Sequence, residues 1–304
     1  MAEFDYKYSY FEMPKSKAYI DGMQTVQGDI HNVRVKLLDH DICYKTVDGY
    51  DLHLRILYPD SVDTNGKFPA IIHIQGSGWL KQDLRDHLLD FKQIVTAGYA
   101  VIVVEYRPTP EYRFPTQVED AKSAIHYVAE HAEELSIDSN NLFLSGDSSG
   151  GHTALLCWAT WYDETFNIEH TPLCHINAVV DLYGVVELYE IQNQISALDH
   201  TSASCPEALL IGKNPKDDRV FADRASVLTY MTQDKEYPPL LIMHGNKDRT
   251  VPFEQSKMLF SKCKELGLNA QFYCVNDADH GGSVFYCKEV LTVITDYLNK
   301  HKNA

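Results

Sequence analysis

The chain has 304 residues, 44% of them hydrophobic and 23% charged, with a formal net charge of -16. That size and apolar share are ample for a large buried core without metals or cross-links. The acidic balance repels nucleic acid and anionic membranes, and so argues against both as partners.

The opening stretch, MAEFDYKYSYFEMPKSK, lacks the apolar region of a secretory signal. No run of 18 apolar residues is present, so no membrane-spanning helix is expected. The seven cysteines are odd in number and widely spaced, with no CxxC pair. They read as reduced thiols packed in the core of a cytoplasmic protein.

Residues 1–40 carry many aromatics and charges without a clear period, and are expected to wrap the domain or form part of a lid. Their aromatics are also a candidate interface between copies of the chain in a homo-oligomer. Strands follow at Ile42–Val47 and 52–58, joined by an Asp48-Gly49 hairpin turn. Short apolar runs at Phe68–Ile74, 99–104, 142–144, 176–182 and 240–243 have the character of buried parallel strands, and 271–275 is the expected last one.

Helical spacing fills the gaps between these strands. Thr116 and Glu119, after Pro115, form a capping-box pattern ahead of Val118, Ala121, Ile125, Val128 and Ala132. Leu259, Phe260, Cys263 and Leu266 share a face, with Gly267 at the C′ position. Cys287, Val290, Leu291, Ile294 and Leu298 form a C-terminal stripe. Alternating strands and helices imply an α/β domain, a mostly parallel sheet covered on both faces. Residues 184–237 interrupt the rhythm and are expected to be a cap inserted over the sheet, within one domain spanning 1–304.

Gly146-Asp147-Ser148-Ser149-Gly150-Gly151 fits G-x-S-x-G. By composition alone the pattern arises in roughly one chain in ten of this length. Here an apolar strand leads in and a helix, 152–162, leads out, which is the strand–turn–helix setting the motif requires. Ser148 is therefore the candidate nucleophile. A serine hydroxyl needs a base to take its proton, and the order expected is serine, acid, histidine. Asp248 lies just beyond the strand ending at Met243, and His280 follows the last strand in Asp277-Ala278-Asp279-His280-Gly281-Gly282. Asp277 and Asp279 are rival acids, ranked below Asp248 because close sequence neighbours rarely face the ring correctly. Acyl transfer also needs donors for a developing oxyanion. Gln75-Gly76-Ser77-Gly78-Trp79 follows the strand Phe68–Ile74, and the backbone N–H groups of Gly76, Ser77 and Ser149 are the candidates, with Trp79 as a substrate contact. His40, Asp41 and His53 do not form a close metal-ligand set, and no metal or cofactor is expected.

Together these motifs resemble the α/β-hydrolase esterases. They are most similar to the hormone-sensitive-lipase-like branch and to the bimodular feruloyl/acetylxylan esterase family. The stretch from Tyr106-Arg107-Pro108 through Pro115 to Asp120, the Pro206-Glu207 and Leu209-Leu210-Ile211-Gly212 tract, and His244-Gly245 through Asp248 to Pro252 each match that family's pattern. The usual oxyanion loop reads H-G-G-G-W, whereas here Gln75 replaces the histidine and Ser77 the middle glycine. The resemblance implies a serine carboxylesterase acting on a small-molecule ester, with acetylated or feruloylated sugars as the suggested class. An amide hydrolase using the same three residues and a non-catalytic binding protein on this scaffold are the alternatives. The second is disfavoured because serine, acid and histidine are all present.

Overall fold

The structure is a computed structural model, and it describes residues 7–62, 66–168 and 174–303. Nine strands form one sheet: β1 (Arg34–Leu37), β2 (Ile42–Val47), β3 (Tyr50–Asp60), β4 (Phe68–Ile74), β5 (Ala100–Val104), β6 (Ile137–Asp147), β7 (Ala178–Leu182), β8 (Leu240–Gly245) and β9 (Ala270–Val275). The order across the sheet is β1-β3-β5-β4-β6-β7-β8-β9, with β2 also paired to β3. From β5 to β9 every pairing is parallel, while β1, β2 and β5 run antiparallel to β3. The helices are α1 (Lys92–Thr96), α2 (Thr116–Glu130), α3 (Ser148–Ala159), α4 (Pro206–Ile211), α5 (Arg219–Asp223), α6 (Phe253–Glu265) and α7 (Lys288–His301).

The apolar runs are explained by burial on both faces. In β5, Ile102 and Val104 join the core on the side of α2, α3 and α6, while Val101 and Val103 point to the opposite side, with α1 and α7. Every residue of β5 and β7 is buried. Burial of each valine, leucine and isoleucine side chain there stabilises the fold by about 1.5–3 kcal/mol. Asp48 and Gly49 both take positive φ (51° and 79°), the twist a two-residue hairpin turn needs. Gly267 sits just past α6 with φ 68°, as its spacing predicted.

Several expectations are corrected. The capping box does not form: Pro115 is the N-cap of α2, no side chain caps it, and Thr116 N–H bonds Arg113 O instead. Residues 7–32 are all exposed, and β1 extends the sheet where no strand was expected. The core-thiol reading holds for Cys157, Cys205 and Cys263, but Cys43 and Cys274 are exposed. The segment between β7 and β8, expected as a cap, packs onto the body of the domain. Leu188, Ile191, Leu210 and Ile211 sink into the main core while other parts of it border the central cavity.

Candidate active site

Ser148 stands between the end of β6 and the body of α3, which begins at the serine itself. Its φ of 53° places a non-glycine residue in the left-handed region, a conformation costing about 1–3 kcal/mol that the surrounding structure must impose. The flanking glycines show how it is imposed. A Cβ at Gly146 would run into Gly150 O, and one at Gly150 into Ile74 O. Only bare backbone lets the turn close this tightly between β4 and α3.

The other two candidate residues reach Ser148 from neighbouring strands. His280, on the loop after β9, places Nε2 2.8 Å from Ser148 Oγ and Nδ1 2.7 Å from Asp248 Oδ2. A carboxylate only accepts, so Nδ1 carries the ring proton and Nε2 is left as the acceptor facing the serine hydroxyl. Asp248 has a fully buried side chain on the loop after β8. Its Oδ1 accepts the N–H groups of Thr250 and Val251, both at 2.8 Å. Asp248 thus ties down its own loop while its other oxygen faces His280. Burial pushes its pKa up, but the imidazoles of His244 and His280 outweigh that and hold it well below the usual carboxylate range.

His244 was not assigned a role from sequence. Its Nε2 lies 3.2 Å from Asp248 Oδ2 and its Nδ1 2.7 Å from Ser256 Oγ, so a second, buried imidazole backs the acid. The His244–Asp248 spacing within the HG..D..VP block was the available signal. The rival acids are engaged elsewhere. Asp279 binds Arg249 and accepts the His280 N–H at 2.8 Å, and Asp277 pairs with Lys247.

The glycine-rich loop after β4 departs from expectation. Gly76 N–H donates to Asp147 Oδ1 (2.8 Å), and Ser77 N–H donates to Ser149 Oγ (2.9 Å). Two of the three donors chosen from sequence, the pair on this loop, are therefore engaged within the chain. His73 adds to this arrangement, with Nε2 3.2 Å from Asp147 Oδ1 and Nδ1 2.9 Å from Ser145 Oγ. Gly78 N–H finds no acceptor among the described residues. Ser149, in the first turn of α3, has no intrahelical acceptor for its N–H. Gln75 is buried, its carbonyl accepting Tyr106 Oη at 3.0 Å while its Oε1 has no hydrogen-bond partner among the described residues.

These groups meet in a cavity of about 390 Å³, within the range that suits a small ligand. Trp79 borders it but is 1% exposed, its ring edge-on to His152 at 5.0 Å. It is a wall rather than an open platform. Val185, Leu198, His200, Pro206 and Glu207 enter from the segment between β7 and β8. On another side Tyr286 stacks on His87, with ring planes 16° apart. Two of the three residues weighed as metal ligands have other partners: Asp41 holds Arg55 through both oxygens, and His53 faces Glu105. Among the described residues no helix is long and apolar enough to cross a membrane.

The matches to known proteins agree with this geometry. The family model BD-FAE matches residues 54–263. A probable carboxylic ester hydrolase, LipM of Mycobacterium tuberculosis, is 26% identical over 77% of this chain and 54% of its own length. An ethyl acetate hydrolase of Pseudomonas putida is 36% identical over 38% of this chain and 37% of its own. The chain thus spans about half, or less, of the length of these relatives. Among solved structures, a truncated carbohydrate esterase from gut microbiota superposes with a TM-score of 0.74 at 25% identity, covering 90% of this chain and 98% of that one. An acetyl ester-xyloside bifunctional hydrolase from Caldicellulosiruptor lactoaceticus gives 0.68 at 23% identity, covering 86% and 96%. The fold is that of the α/β-hydrolases, and the chain belongs to the BD-FAE family.

Proposed function

We propose that the protein is a serine carboxylesterase that cleaves small acyl esters through an acyl-enzyme. The observation that carries this reading is the continuous chain from Ser148 Oγ through His280 to Asp248, at 2.8 and 2.7 Å, beside a cavity of ligand size.

Ser148 Oγ attacks the ester carbonyl as His280 Nε2 takes its proton. The buried Asp248 carboxylate keeps the ring in the required tautomer and stabilises the imidazolium that forms. Negative charge on the carbonyl oxygen is met by the N–H groups of Gly78 and Ser149, with Gly78 replacing Gly76 as the loop's donor because the Gly76 N–H is held by Asp147. Collapse of the tetrahedral intermediate breaks the ester C–O bond, and His280 returns its proton to the leaving alkoxide. Water then attacks the acyl-serine with His280 as base, releasing the acid and restoring Ser148. The relatives' names support esters as the substrate class, and the carbohydrate esterases among the structural matches make sugar acetates the first candidates.

The test is hydrolysis of p-nitrophenyl acetate, with labelling by a serine-directed phosphonate. Ser148→Ala should abolish turnover while leaving the melting temperature within a few degrees, and the phosphonate should add at Ser148 alone. Turnover by the alanine variant, or labelling elsewhere, would refute the assignment.

A further inference from the structure

One wall of the cavity carries a polar pair that the proposed chemistry does not use. His200 and Glu207 both border the cavity, and both side chains are 2% exposed. His200 Nδ1 lies 3.2 Å from Glu207 Oε2, close enough for an ion pair, yet neither atom has a hydrogen-bond partner of proper geometry among the described residues. The other face of the His200 ring is committed. Its Nε2 is 3.0 Å from Thr250 O and 3.2 Å from Ser196 Oγ, and the carbonyl requires a proton on Nε2. Burial lowers the pKa of His200, but Glu207, the Thr250 carbonyl and Asp199 together offset it and the net direction is up. The Nε2 proton is thus committed to the Thr250 carbonyl, while Nδ1 faces the Glu207 carboxyl group without a hydrogen bond of proper geometry.

Glu207 is the under-satisfied member. A carboxylate offers about four acceptor positions, and here the off-axis His200 imidazole and the Cys205 thiol face it. Buried polar groups are normally paired, so an exception beside a ligand cavity calls for a reason. Two neighbouring groups share the deficit. Trp79 Nε1 and His152 Nδ1 are buried without partners among the described residues, and the two rings lie 5.0 Å apart. His152 Nε2 is 2.7 Å from Ala225 O and so carries the ring proton, and burial pushes its pKa down to about 4. Its Nδ1 is a bare acceptor, whereas Trp79 Nε1 can only donate. The Glu207 carboxyl acceptor and the unpaired Trp79 Nε1 donor on the same cavity wall suit a hydroxyl group, which is both donor and acceptor. An ammonium, which only donates, would leave the Trp79 Nε1 donor unpaired.

We propose that the Glu207–His200 pair is a hydroxyl-recognition subsite, selecting esters that carry a free hydroxyl over plain alkyl esters of the same acyl group. This rests on the ester-hydrolase reading above. A site built to hold a hydroxyl discriminates strongly, because the analogue lacking it leaves buried groups unpaired.

The experiment compares kcat/KM for glyceryl monoacetate with that for ethyl acetate in the wild type, Glu207→Ala and Glu207→Gln, with melting curves to check folding. The wild type should favour the hydroxylated ester. Glu207→Ala should lower the ratio of the two at least tenfold, and Glu207→Gln, which keeps an acceptor oxygen, by less. If the alanine variant does not fold, the glutamine variant must still lower the ratio at least threefold. A ratio unchanged while both activities fall together would mean a structural role and overturn the proposal, as would preference for aminoethyl acetate. A parallel titration of glyceryl monoacetate into Ser148→Ala and Ser148→Ala/Glu207→Gln reads binding without turnover. If the wild type cleaves neither ester, the ester-hydrolase reading fails by itself, and equal affinity in the two titrations then overturns the subsite.

Discussion

Asp248→Asn isolates what the buried acid contributes, because asparagine preserves its shape and half its bonds. The Oδ1 position would still accept the Thr250 and Val251 N–H groups that now bond at 2.8 Å. The other position would become an NH₂ group 2.7 Å from His280 Nδ1 and 3.2 Å from His244 Nε2. An NH₂ can only donate, so His280 must present a lone pair at Nδ1 and carry its proton on Nε2, which faces Ser148 Oγ at 2.8 Å. In that tautomer the ring cannot accept the serine proton. The same substitution in the serine–histidine–aspartate template lowers kcat by about 10⁴, or about 5.4 kcal/mol in the barrier. Flipping the asparagine would restore the tautomer only by turning the NH₂ toward two amide donors, so the loss should persist. The assay is kcat on p-nitrophenyl acetate, with thermal unfolding of Asp248→Asn and Asp248→Ala in parallel. The alanine variant strands two amides and should lose about 1–3 kcal/mol for each, whereas asparagine keeps them. An asparagine variant within tenfold of the wild type would refute the reasoning. So would a larger loss from Asp279→Asn, whose carboxylate is engaged with Arg249.

The same carboxylate bears on acid stability. The pKa of Asp248 is lowered from 3.8 in the folded chain, so its contribution is present above that value and lost as pH falls below it; the acid limb of an unfolding curve should be shallower in Asp248→Asn. Asp181 has the opposite sign. Burial pushes it up to about 8, against the Gly184 N–H that holds Oδ1, while Oδ2 has no partner among the described residues. Its favourable contribution is complete below the unfolded value of 3.8 and is lost as pH rises through about 8, so at pH 7 folding must protonate it at a cost on the order of 4 kcal/mol. Asp181→Asn keeps the Gly184 contact and should stabilise by about 2 kcal/mol at pH 7, after about 2 kcal/mol for its own unpaired amide. That gain should vanish by pH 4, and a variant less stable at both pH values would contradict it. Arg107 and Asp120 form a buried two-pronged pair at 2.8 and 2.7 Å. Arg107→Met alone should cost about 3–5 kcal/mol in urea unfolding, and Arg107→Met/Asp120→Leu should recover most of it. Additive losses would show that the pair itself contributes little.

The sheet was legible in the sequence because its central strands are buried on both faces. That requirement writes continuous apolar runs such as 100–104, and composition shows them without any tertiary information. Ser148, Asp248 and His280 were legible for a related reason: each sits just past the end of a strand, and their order along the chain is constrained by the sheet. Boundaries were less so. Thr116 and Glu119 have the capping-box spacing, but Pro115 takes the cap position and Thr116 bonds back to Arg113 O. β1 was invisible because an exposed four-residue edge strand carries no alternating pattern.

Residue types and order along the chain determined the α/β architecture and the three residues that meet at Ser148. Tertiary structure decided which of their neighbours remain free to act. Gly76 and Gly78 both border the cavity, yet Asp147 holds the N–H of the first while that of the second finds no acceptor among the described residues. His200 and Glu207 look like ordinary surface residues until the β7–β8 segment folds into the core and carries both, nearly sealed, to the cavity wall. Periodicity and motifs report local demands on the chain. Whether a polar group is satisfied depends on partners far away in sequence, and only the packed fold brings those partners into place.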